Sequence, residues 1–113
     1  MLYVFSVGLN VLDAESSAQL AYTLSLAAAM FGSGIRAVAM GEGEWEGERE
    51  RFIQIAAETD SPEVDARTIA RAFSQAAVAV IGVAAREKWA LVYADGRTEP
   101  GFDTAAAPII VTL

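Results

Sequence analysis

The chain contains no cysteine and no histidine. The first absence removes disulfides, a thiol nucleophile and Cys/His zinc sites; the second removes every histidine-based acid–base mechanism. Lysine occurs once, as Lys88, and the net charge is −7. Such a chain repels phosphate backbones, so nucleic acid is not an expected partner. No hydrophobic run is clean enough for a membrane span either. The longest uncharged stretch, Ser16 to Ile35, contains Gln19, Thr23, four serines and two glycines, which fits a buried helix better than a bilayer helix. No basic segment opens the chain, so no secretory leader is expected. A cytoplasmic location is the expectation that goes with these absences.

What is present is a chain of 113 residues, 54% of them hydrophobic, which is the size of one domain with a core of its own. Residues 1–103 read as a single α+β domain. Residues 104–113 read as a connection ending in a short apolar strand, Ile109-Ile110-Val111-Thr112-Leu113, which should add to this sheet or to a neighbour's.

Leu2 to Val11 reads as a central strand, with Tyr3, Phe5, Val7 and Leu9 on one face and Leu2, Val4, Ser6 and Gly8 on the other. A helix is expected over Ala14 to Phe31, capped by Asp13 with Glu15 in its first turn, and ended by Gly32, which is free to turn left-handed. Its polar stripe is narrow. Alanine is tolerated anywhere on a helix, but a second packing surface against another subunit also fits that stripe. Ile35 to Gly41 and Arg51 to Glu58 read as the next two strands, close enough to form a hairpin.

Asp60-Ser61-Pro62-Glu63 predicts a helix start, with Ser61 as N-cap and Pro62 in the first position. That helix should run to about Gln75. Its stripe is Ala66, Ile69, Ala70, Phe73 and Ala77; Arg67 and Arg71 face solvent, and Glu63 pairs with Arg67. Ala77 to Ala84 and Lys88 to Ala94 read as strands joined at Arg86-Glu87. Asp95-Gly96 and Pro100-Gly101 read as turns. The order β-α-β-β-α-β(-β) is that of a ferredoxin-like sandwich, an antiparallel sheet with two helices on one face. Its other face then needs water, a partner or a second subunit, and Phe52, Ala56, Trp89 and Tyr93 are candidates for it. A fold of this breadth assigns no function.

The stretch that stands out is Gly41-Glu42-Gly43-Glu44-Trp45-Glu46-Gly47-Glu48-Arg49-Glu50. It carries most of the net charge: residues 41–60 hold seven acids against two arginines. In one extended run, all five glutamates would share a face, but its glycines make the stretch read as the end of one strand, a turn and the start of the next. The plainer reading is a solvated hairpin whose repeated charge keeps a sheet edge from mispairing. The sharper one is a partner-binding surface made of Glu42, Glu44, Trp45, Glu46, Glu48 and Glu50, with the tryptophan as anchor and a basic protein surface as partner. An acidic strip of this kind also imitates a phosphate backbone. Calcium or magnesium fits poorly, because there is no Asp and strand-spaced carboxylates do not converge; no metal and no cofactor are expected. No Gly-x-Ser-x-Gly element or dinucleotide loop occurs. The leading expectation is a small non-enzymatic interaction protein, an inhibitor or adaptor, of the kind a phage makes against its host. The alternatives are a homo-oligomer subunit, a dimer first of all, and a cofactor-free enzyme of the dimeric ferredoxin-like barrel type.

Overall fold

The computed structural model describes residues 1–9, 16–45, 47–83 and 89–102. Along the chain these form β1 (Leu2–Leu9), α1 (Ser16–Phe31), a single 3-10 turn (Gly32–Gly34), β2 (Ile35–Trp45), β3 (Glu48–Glu58), α2 (Pro62–Ala72), β4 (Ala77–Gly82), β5 (Trp89–Tyr93) and β6 (Thr98–Phe102). The architecture is α+β: one six-stranded antiparallel sheet in the order β2-β3-β1-β4-β5-β6, with two helices. The expected cap at Asp13, the turn at Arg86-Glu87 and the strand at 109–113 lie outside the described residues.

β1 sits at the centre because both of its faces are apolar. It pairs with β3 from Leu2↔Glu58 to Leu9↔Arg51 and with β4 from Tyr3↔Gly82 to Ser6↔Ala79. Phe5 and Val7 turn toward the helices and join Ile53, Ile55, Ala57, Val78, Val80 and Val92 in the main core, closed by Ala27 of α1 and Ala66, Ile69 and Ala70 of α2. The rings of Phe5 and Phe31 stack at 5.6 Å, and Tyr22 meets Phe73 edge-on at 5.4 Å, which joins α1 to α2. α1 lies over β2 and β3, and α2 over β1, β4 and β5.

The opposite face differs from the wet or partner-seeking surface expected of it. Val4, Ala56, Ala79 and Leu91 form a second apolar cluster there, flanked by Leu2, Ala37, Ala77, Ile81 and Tyr93. Its centre is withdrawn from water, with Val4 only 1% exposed. Phe52 and Tyr93 belong to this face by strand alternation, as expected; the side chain of Trp89 lies outside the described residues.

Four local readings change. Ser61 precedes Pro62, but its side chain makes no cap bond. Thr59 does that work: its hydroxyl oxygen accepts the Ser61 N–H at 3.1 Å and its O–H donates to the Asp65 carboxylate. α2 stops at Ala72 rather than Gln75, and Ala77 belongs to β4. The Gln75 N–H reaches back to the Ala70 carbonyl at 2.8 Å and the Ser74 N–H to that of Arg71 at 3.2 Å. This is the Schellman ending, and it needs a left-handed residue between helix and strand. Ser74 takes that conformation at φ 53°. The third change is β6, a strand where Pro100-Gly101 reads as a turn; the turn expected at Asp95-Gly96 is present, with Gly96 at φ 105°. Pro100 and Gly101 fall where the β5–β6 register slips between Trp89↔Phe102 and Leu91↔Glu99. β6 is also the outermost strand, where a missing N–H is tolerated. Fourth, Arg67 and Arg71 do not simply face solvent: they donate to the Gly96 and Ala94 carbonyls at 2.9 and 3.1 Å. The expected Glu63–Arg67 pair is present at 3.6 Å.

Candidate functional site

β2 and β3 are the longest strands, 11 residues each, and their length builds the site. The hairpin register runs from Ile35↔Ala57 to Trp45↔Glu48. Only Glu46 and Gly47 remain for the loop, a two-residue connection of the type that favours residues at positive φ. Gly47 has φ 83°. The glutamate stretch is therefore mostly strand, not a separate ribbon between strands.

Among the described residues the end of this hairpin runs past the strands beside it. The last described β1 pair is Leu9↔Arg51, level with Glu42. Beyond that row, the pairs Gly43↔Glu50, Glu44↔Arg49 and Trp45↔Glu48 form a two-stranded arm with no third strand beside it among the described residues. A glycine marks its base. The Phe52 ring lies across Gly41 so closely that a Cβ there would stand 2.5 Å from the ring's Cζ. Only a residue without a side chain admits that contact, and the ring in turn covers the bare backbone.

The stretch is the end of one strand, a turn and the start of the next, as expected, so the single acidic face of one continuous extended run does not form. In an antiparallel pair, directly opposed positions share a face, and faces alternate along each strand. Positions 42, 44, 49 and 51 thus belong to one side of the hairpin, so Glu42 and Glu44 stand in register with Arg51 and Arg49. Positions 43, 45, 48 and 50 belong to the other, where Trp45 shares a side with Glu48 and Glu50. Of the six expected binding residues, five are placed on the hairpin by strand position, and Glu46 lies outside the described residues. The two arginines are the members of the site that counting glutamates passed over. The signal for them was Gly47: a turn centred there makes 44 and 49 partners.

Among the described residues no group of three or more carboxylates is gathered as a metal site, and no helix is long and apolar enough to cross a membrane. A pocket of about 170 Å³ opens beside the start of α2, lined by Tyr3, Glu63, Val80, Ala90, Val92 and Thr98 among others. It is small beside the roughly 300–1,000 Å³ of pockets that enclose small molecules. Its carboxylate, Glu63, is 61% exposed and already paired with Arg67. The buried carboxylate that the small-molecule-enzyme alternative calls for is not found in this pocket. Searched against protein families, curated proteins and solved structures, the chain matches none of them.

Proposed function

We propose that this chain is a non-enzymatic protein-interaction module that docks its β2–β3 arm on a basic surface of another protein, as an inhibitor or adaptor does. The observation that carries this reading is the arm itself: three residue pairs beyond the last described β1 contact, bearing Trp45 with Glu44, Glu48 and Glu50. A hairpin free of its sheet can enter a partner's groove without disturbing the core. A tryptophan flanked by carboxylates supplies both an anchor and a steering field. The body beneath it is read as ferredoxin-like. In support, the order β2-β3-β1-β4 interleaves two β-α-β units, with β3 lying between β1 and β2 and antiparallel to both. β5 and β6 extend that sheet on the β4 side.

The register divides the acids into two groups with different expected weights. The fields of Glu42 and Glu44 are partly cancelled by Arg51 and Arg49, whereas Glu48 and Glu50 stand opposite Trp45 and Gly43, which carry no charge. Tagged chain is used to capture partners from source-cell lysate, and the salt dependence of the recovered complex is then measured. Glu48→Gln with Glu50→Gln should weaken binding and flatten its salt dependence more than Glu42→Gln with Glu44→Gln. Unchanged affinity in the first variant would end this reading.

A further inference from the structure

We infer that the free edge of β2 is a self-association surface, and that two copies join there into one continuous sheet about a two-fold axis at Ala39. β2 is the outermost strand, and among the described residues nothing pairs with its far side. Exposed edges of this kind are usually blunted by a central lysine or proline. The middle of β2 has neither: Ala37-Val38-Ala39-Met40-Gly41 is uncharged, in a chain of net charge −7. The charges stand at its two ends and are opposite in sign, Arg36 before the run and Glu42 after it.

That arrangement is self-complementary only when the strand meets a second copy of itself antiparallel. With Ala39 opposite Ala39, the register places Ala37 against Gly41 and Val38 against Met40, and it brings Arg36, which sits in the register slip between Ile35 and Ala37, beside Glu42, twice over by symmetry. A slip of one pair, centring Met40, sets Arg36 opposite Glu44 but leaves Glu42 facing the apolar Val38, so the Ala39 register is the one that brings together the two charges flanking the run. The Ala39 register also matches residues of like parity, so both copies keep their helices on the same side of the joined sheet. Arg36 is exposed at the start of this edge, where its Nη1 donates to the Ser33 carbonyl at 2.8 Å.

A second observation comes from α1, the helix that lies over β2 and β3. Tyr22 touches Phe73 and so marks its flank toward α2; Thr23 and Ala27 are buried and mark its underside. At about 100° per residue, Leu24 and Ala28 fall on the remaining flank, away from α2 and toward the free edge of β2. Leu24 is 48% exposed there, and the whole of α1 carries no charge. Two such flanks face each other above the joined strands in the Ala39 register. This explains an apolar helix side that the monomer leaves wet.

The test is sedimentation equilibrium across micromolar concentrations of the full chain. The wild type should dimerise. Arg36→Glu sets like charges opposite each other at both ends of the junction and should raise the dimer Kd about tenfold or more. Arg36→Glu with Glu42→Arg restores opposite charges and should return the Kd to the wild-type value. In its own hairpin the guanidinium introduced at position 42 stands opposite Arg51, but that cost is equal in monomer and dimer and cancels from the Kd. Ala39→Lys, which places two ammonium groups at the axis, should dissociate the dimer independently. A wild type that stays monomeric, a Kd unmoved by Arg36→Glu or Ala39→Lys, or a double variant no tighter than Arg36→Glu would each overturn the inference.

Discussion

β2–β3 and β5–β6 are both antiparallel hairpins closed by a glycine at positive φ, Gly47 at 83° and Gly96 at 105°. Their surroundings differ. The β5–β6 turn is held from several directions. Arg67 and Arg71 of α2 donate to the Gly96 and Ala94 carbonyls, the Arg97 guanidinium binds Asp95 and stacks on the Tyr93 ring, and the Ala94 N–H bonds to Ala76. On the β2–β3 hairpin the Phe52 ring lies over Gly41, near the last described β1 pair. The same local turn chemistry thus closes a turn bonded to α2 in one place and, in the other, a hairpin that runs past its described neighbours. The difference comes from tertiary contacts, and it separates the hairpin that completes the body from the one proposed to meet a partner.

The strongest way to break this contrast is at the arm's base. Gly41→Val cannot keep the Phe52 ring in place, so ring or strand must shift. Overpacking of this kind costs about 1–3 kcal/mol. Thermal or urea denaturation should register that loss, whereas an unchanged midpoint would mean that the ring does not anchor the arm. A smaller change should loosen the β5–β6 hairpin. Arg67→Ala removes the Gly96 carbonyl bond and the Glu63 pair, at about 1 kcal/mol. Hydrogen exchange at residues 94–97 should quicken with the arm unaffected; equal protection in both proteins would show that α2 does not pin the turn.

The smallest effect is a titration. The Arg97 backbone N–H bonded to Asp95, helped by the Arg97 guanidinium, holds its carboxyl below the usual aspartate value. A depressed carboxylate pKa contributes stability that is present above the unfolded value, about 3.9, and is lost as pH falls through the folded one. The β5–β6 turn should therefore loosen only under strongly acid conditions, and only slightly, since Asp95 is exposed. An Asp95 carboxyl that titrates at or above the ordinary value in NMR would refute this.

Much of the body was legible because its signals are local. Pro62 announced α2, Gly32 turns left-handed at φ 53° as expected, and the alternation in β1 placed its two faces correctly. The end of α2 was hidden because Ser74 occupies a left-handed position that usually displays glycine. β6 was hidden because its Pro100-Gly101 pair sits in a register slip on an outer strand; nothing in those residues alone distinguishes that from a turn. The arm was half legible. Its glutamates and Trp45 are plain to read, but their partition into two sides depends on which residues close the loop. A reversal at Glu46-Gly47 is a pairing fact between strands and not a property of either.

The position of β1 bears on how the protein is made. Of these six strands, the first to leave the ribosome is the one at the centre of the sheet, and its neighbours are β3 and β4. β4 begins roughly 70 residues after β1 ends, which at 5–20 residues per second is a delay of about 4–14 s. During synthesis Phe5 and Val7 must wait in water, while β2 and β3, only a two-residue loop apart, can zip together as soon as they emerge. The long hairpin is therefore the natural template onto which β1 docks, and β4 seals the sheet afterwards. The arm is the tip of the strand pair that lies closest together along the chain.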